Sequence, residues 1–211
     1  MRFAAAALAL LLSACSSIRL EHAPSLSPFG DGTQWVVLDD MPFVVRLDDG
    51  SSGTLLVPRG FVTDLASTPP AIWSLYPPFG KYLTAAILHD YLYWRGTCTQ
   101  AQADKIIYQA MRDAGVDQAA QSRFHAALTA AGEHAWKRNE GERASGLIRV
   151  IPEQYLSRGA TMEWPRYREM LRAQGVREPA VAGDASMRGL CAALGNEIKV
   201  DSRFAAIVFG R

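Results

Sequence analysis

Two helix-forming runs meet at a marked turn, and each carries a polar residue where its apolar face should be uninterrupted. In the first, the run AAILHDYLY, His89 has Ala85, Ala86, Leu92 and Tyr93 at i−4, i−3, i+3 and i+4, so on a helix these residues share its face. In the second, Asp104 is followed by Ile107 and Met111 at i+3 and i+7, which places it on an apolar stripe. Between the runs, Gly96 suits the left-handed residue that closes a helix, and Thr99 with Gln102 reads as a capping box that opens the next. At about 1.5 Å per residue, His89 lies roughly 9 Å before the end of its helix and Asp104 roughly 7.5 Å into the following one. An antiparallel hairpin therefore holds the two side chains at nearly the same height, and a carboxylate on an apolar stripe needs a partner.

The chemistry of that placement is specific. A carboxylate on one imidazole nitrogen fixes the tautomer and leaves the other nitrogen free as a base or ligand. Asp90 is rotated by about 100° along the helix, so it faces a different ligand such as a cation. This is the outline of a hydrolytic site, with His89 as base, Asp104 as orienting group and Asp90 as metal ligand. The competing reading is a buried hydrogen-bonded pair that only fixes the packing of two helices. That reading leaves the adjacent Asp90 without a role.

The N-terminus reads as a processing signal over residues 1–14: Arg2 is followed by an apolar stretch from Phe3 to Leu12 and then by Leu12-Ser13-Ala14-Cys15. The apolar stretch is too short to span a bilayer. The four residues resemble a bacterial lipobox. That resemblance implies lipidation of Cys15 and a membrane partner, and Ser16 after the cysteine points to the outer membrane, with the protein facing the periplasm. A net charge of +1 with evenly spread acids and bases gives no electrostatic case for nucleic acid. With Cys15 assigned to lipid, two of the three cysteines remain, Cys98 and Cys191. In an oxidising envelope they are candidates for a disulfide.

Residues 15–33 are rich in Ser, Pro and Gly and read as a tether, and His22 within it is given no role. Residues 35–38, 43–47 and 54–57 are β-rich runs separated by Asp39-Asp40 and Asp48-Asp49-Gly50, which predicts a small antiparallel meander. Residues 58–78 hold too many prolines for a long helix. Helices are predicted over 81–95, 99–114 and 117–137. The expected fold is α+β: an N-terminal β-meander packed on a three-helix core over 34–137, then an irregular extension over 138–211. The extension is predicted to carry shorter helices near 164–174 and 186–194 and a strand or tail at 204–209.

Other chemistries are weaker on this sequence. An HD-type phosphohydrolase needs a second histidine upstream, and His22 in the tether is the only one. His125 and His134 are nine residues apart, about half a turn out of phase on one helix, so they do not converge on zinc. Ser67 lacks the G-x-S-x-G elbow of a serine nucleophile. Thr63 and Ser67 therefore read as loop hydrogen-bonding groups, and Asp64 as a cap or a further metal ligand.

The order VPRGFVTDLAS from Val57 to Ser67, then Pro69, Gly80-Lys81-Tyr82, Ala85-Ala86, HDYLY from His89 to Tyr93 and Ala103-Asp104 resembles the family catalogued as domain of unknown function 1353, found widely in tailed phages and prophages. The resemblance covers roughly residues 35–136 and implies a shared fold without an assigned activity. A more distant resemblance concerns mechanism: HDxxY on one helix and an aspartate on the next is similar to the phospholipase A2 pattern. It implies His89 activating water, Asp90 binding calcium, Asp104 orienting the imidazole and Tyr93 in the tyrosine position. The glycine-rich calcium loop of that pattern is replaced here by Pro77-Pro78-Phe79-Gly80, and the flanking cysteines are missing. Two functions stand as expectations: a membrane-anchored, calcium-dependent hydrolase of lipid esters, or a non-catalytic envelope lipoprotein of prophage origin that serves as an interaction module.

Overall fold

Helix α1, Leu83–Arg95, is the central element. Its buried residues include Ala85 to His89 and Tyr91 to Trp94 in unbroken runs, the mark of a helix covered on nearly every side. It ends where Gly96 adopts φ 63° and donates its N–H to the Leu92 carbonyl, a left-handed stop that glycine adopts without steric cost. Three residues later Thr99 and Gln102 form the reciprocal capping box, and α2, Gln100–Asp113, runs back along α1 with Ala103, Ile106, Ile107, Ala110 and Met111 inward. A cap of this kind contributes about 1 kcal/mol. Helix α3, Gln118–Ala144, starts at Asp117, whose carboxylate accepts from the Ala120 amide, and packs on both α1 and α2.

The computed structural model describes residues 16–65, 80–158, 161–180 and 183–198. Among these, no helix is long and apolar enough to cross a membrane. The fold is α+β, with the strands in two small antiparallel sheets. One has the order β1-β4-β5 and the other β2-β3-β6, with β1 Ser17–Leu20, β2 Leu26–Pro28, β3 Trp35–Val37, β4 Met41–Arg46, β5 Ser52–Val57 and β6 Val62–Thr63.

One expectation changes here. Residues 16–33 are not a free tether: β1 pairs with β4 from Ser17↔Arg46 to Leu20↔Phe43, and β2 pairs with β3. The reason lies in a few apolar side chains. Ile18 is 2% exposed within the main core and its amide is held by Asp113 at 2.7 Å, while Phe29 lies in a second cluster. The expected N-terminal β-meander and helical core are present, with the strands shared between two sheets. After β5, the turn through Pro58 and Gly60 carries β6 away to pair with β3, Trp35↔Thr63 and Val36↔Val62.

Helix α3 continues past residue 137 to Ala144, with no proline to stop it and the single glycine at 141 accommodated, and the chain turns at Gly146 with φ 79°. The segment after the turn returns to the sheets. Val62 donates to the Arg149 carbonyl at 2.7 Å, Phe61 bridges to Val150, and Ile151 donates to the Gly60 carbonyl at 2.9 Å. Gly60 permits this contact, since a Cβ there would collide with the Ile151 carbonyl oxygen. Helix α4, Trp164–Ala173, then buries Trp164, Tyr167 and Leu171 against Phe29, Val36, Val62, Ile148 and Ile151, each worth about 1.5–3 kcal/mol of apolar burial. Helix α5, Asp184–Leu194, packs on α2 and β5. A disulfide joins its Cys191 to Cys98 in the α1–α2 turn, and Arg95 bonds Asp184 at 2.5 Å. Residues 1–15, which include Cys15, and residues 66–79, which include Ser67, lie outside the described residues, as does 204–209.

Candidate functional site

The α1–α2 hairpin places His89 Nε2 3.0 Å from Asp104 Oδ1. Both side chains are largely enclosed, 8% and 17% exposed. Tyr93, one turn beyond His89 on the same face, donates its hydroxyl to the same Asp104 oxygen at 2.6 Å, and its ring centre stands 4.1 Å from that of the imidazole. Gln100 in turn donates to the Tyr93 hydroxyl. Burial, and then the bond to the Asp104 carboxylate, push the Tyr93 phenol far above its usual range, so Tyr93 serves as a fixed donor and not as an acid. The ladder Gln100, Tyr93, Asp104 sets the imidazole: with a carboxylate on Nε2, the ring proton sits there and Nδ1 is the nitrogen able to take a proton.

This packing depends on a glycine in the middle of α3. A Cβ at Gly132 would lie 2.8 Å from the Tyr93 hydroxyl and 2.9 Å from Gln100 Nε2, both too close for a real contact. The missing side chain lets α3 sit directly on the ladder.

One position along α1, Asp90 turns toward the end of β6. Thr63, 0% exposed, donates its hydroxyl to Asp90 Oδ2 at 2.5 Å and accepts the Leu65 amide at 3.0 Å. The turn that results puts Leu65 in the left-handed region at φ 60°, an uncommon conformation for a bulky residue. Between these two residues Asp64 is hydrogen-bonded to Asp90. The Asp90 carboxyl is held well above the ordinary range, first by burial and then by the Asp64 charge, with Thr63 and the Arg149 guanidinium acting in the opposite direction.

These groups open onto one cavity of about 370 Å³, a size at the small end of ligand pockets. His89, Asp64, Asp90 and Tyr93 line it, together with an apolar wall that includes Ile107, Phe124 and Leu128. Arg138, Asn139 and Arg149 complete the lining. Asn139 is 4% exposed, and its Oδ1 has no hydrogen-bond partner among the described residues. The structure thus brings His89, Asp90, Asp104, Tyr93, Thr63 and Asp64 together. Cys98 and Cys191 lie apart from them, at the hairpin turn and α5.

The sequence pattern gave no sign of the contribution of residues beyond 137. Asn139 sits in the polar run RNEGER, and only the continuation of α3 carries it to the cavity. Arg149 arrives through backbone pairing with β6, for which its own residue type gives no signal.

The donor set fits calcium poorly. Calcium takes six to eight oxygens, whereas this end of the cavity offers two carboxyls already sharing a hydrogen bond, with an arginine beside them. Among the described residues, no group of three or more His, Cys, Asp or Glu residues is placed to hold a metal. The expected calcium cage is not matched by these residues.

No curated protein and no solved structure matches the chain. Residues 35–128, which run from β3 to Leu128 of α3 and carry His89, Asp90 and Asp104, match the family described as Protein of unknown function (DUF1353).

Proposed function

We propose that this protein is a hydrolase of acyl esters, held at the cell envelope through a lipid on Cys15 and exposed to the periplasm from the outer membrane. The observation that carries the reading is His89, oriented by Asp104, in the wall of a largely apolar cavity. Nδ1 of His89 takes a proton from water as the oxygen attacks the ester carbonyl, and the same proton then passes to the leaving alkoxide. The products are a carboxylic acid and an alcohol. Asp104 stabilises the imidazolium that forms between the two transfers, Tyr93 fixes Asp104, and the Arg149 guanidinium supplies a positive charge that acts on the carboxyl pair.

The test is fatty acid release from phospholipid and monoacyl ester vesicles by the full chain, with calcium and with chelator. His89→Asn is expected to abolish release while keeping the melting temperature within a few degrees, and Asp104→Asn to slow it by mis-setting the tautomer. Chelator is expected to leave the rate unchanged, and a strict calcium requirement would restore the metal-dependent version of the site. No release under any of these conditions overturns the hydrolase reading. Anchoring is tested separately: Cys15→Ser should abolish metabolic lipid labelling, and unchanged labelling refutes it.

One observation favours a second reading, a non-catalytic envelope module of prophage origin. The Gln100, Tyr93, Asp104 and His89 ladder satisfies itself without a ligand. On that reading His89→Asn lowers stability by a few kcal/mol, and any loss of function accompanies the loss of fold.

A further inference from the structure

The cavity is divided by polarity along its length. Phe124 packs on Tyr82 near the start of α1, with ring centres 5.0 Å apart, whereas Asn139 lies fifteen residues further along α3, a span of roughly 22 Å. His89 sits between them. On the Phe124 side the lining is apolar. Asp64, Asp90 and Arg149 also line the cavity, with the Arg149 charge acting on Asp90. A substrate whose carbonyl lies at His89 therefore extends a chain one way and a polar head the other.

The head-group end has a definite hydrogen-bonding bias. The Asp90 carboxyl accepts from Thr63 and is hydrogen-bonded to Asp64, and the Asn139 Oδ1 is buried with no partner among the described residues. Leaving such a carboxamide oxygen unpaired costs about 1–3 kcal/mol, a cost that a ligand donating to it would offset. The Asp64 and Asp90 carboxyls, hydrogen-bonded to each other, stand with the Arg149 guanidinium in the same lining, so groups of both signs already face the ligand. A full charge of either sign would upset that balance. The volume of about 370 Å³ suits one chain.

We propose that the cavity binds a single-chain acyl ester with an uncharged, hydroxyl-bearing head, of the monoacylglycerol type, and that Asn139 with the Asp64–Asp90 pair reads that head. The proposal rests on the reading of the cavity as an acyl ester site, and it adds a specificity determinant outside the segment that matches the family.

The test measures binding by calorimetry to the full chain carrying His89→Asn, so that turnover does not interfere. The probes are monolauroylglycerol, laurate and dodecyltrimethylammonium, all below their micelle concentrations. Monolauroylglycerol is expected to bind at least tenfold more tightly than either ion. Asn139→Leu, which replaces the carboxamide by an apolar group of similar shape, is expected to weaken that binding at least fivefold while leaving the melting temperature of the ligand-free protein equal or higher. A merely structural Asn139 would show the reverse, a lower melting temperature with unchanged affinity. Equal binding of all three probes, tighter binding of either ion, or unchanged affinity in Asn139→Leu overturns the proposal, and should that variant fail to fold, the comparison of heads on His89→Asn decides alone. Head preference without ester cleavage by the parent chain sinks only the hydrolase reading, and cleavage without head preference sinks only this one.

Discussion

Removing both cysteines of the Cys98–Cys191 bond should destabilise the protein strongly without touching the site. The bond links residues 93 apart in sequence, from the α1–α2 turn to α5. Chain-entropy arithmetic for a loop of that length gives a loss of roughly 16 cal/mol/K in the unfolded ensemble, or about 4.6 kcal/mol at 25 °C. The native state should suffer little, since Cys98 and Cys191 are 4% and 0% exposed and alanines in their place leave no polar group unpaired. Other contacts hold α5 in position: Arg95 on Asp184, and Leu190 seated on Gly53, where a Cβ would meet it at 2.8 Å. For a chain of this size each kcal/mol moves the melting temperature by about 2–4 °C, so Cys98→Ala/Cys191→Ala should melt roughly 9–18 °C lower. Calorimetry of the oxidised parent, the reduced parent and the double variant is the assay, with the two unbridged forms expected to agree. A shift under about 3 °C, or two free thiols in the unreduced denatured parent, would refute the reasoning.

Three further outcomes are expected, two at the site and one in the fold that supports it. Asp90 holds its proton more tightly when folded than its ordinary value of 3.8 implies, because of burial and the Asp64 charge; its contribution to stability is therefore full below that value and is lost as pH rises through the folded pKa, at about 1.4 kcal/mol per pH unit across the interval. Asp90→Asn keeps an acceptor for Thr63 and a donor for Asp64, so denaturant titrations should show it more stable than the parent at pH 7 with a flatter pH profile, and a variant less stable at pH 7 but not at pH 3 contradicts this sign. Gly132→Ala should push the Tyr93 hydroxyl and Gln100 out of place, costing about 1–3 kcal/mol and slowing ester hydrolysis more than its melting temperature alone explains. Gly60→Ala combines φ 85° with a backbone clash at Ile151 and should cost at least about 2 kcal/mol, read by chemical denaturation.

The helical hairpin was legible because its signals are local. Gly96, Thr99 and Gln102 fix a turn within a few residues, and the turn fixes the height of His89 against Asp104. Helical periodicity likewise revealed α2, and α4 to within a residue. The N-terminal strands were hidden because β1 and β2 are short, and what makes them strands is distant: the Asp113 carboxylate under the Ile18 amide, and the β4 and β3 edges that accept them. Asp64 was ambiguous for a similar reason, since its pairing with Asp90 depends on where β6 ends. Asn139 was missed because a polar run with no breaker gives no sign of which of its residues faces inward.

The backbone pairing of residues 60–62 with 149–151 divides the site between two parts of the chain. The segment that matches the family ends at residue 128, ahead of Asn139 and Arg149, so His89 and its hydrogen-bonded ladder lie within that segment while part of the cavity lining is furnished by the C-terminal part of the chain. A change confined to that later part would leave the His89 ladder in place and alter the lining of the cavity. In this architecture the cavity can be refurnished by exchanging a tail while the helical hairpin stays intact.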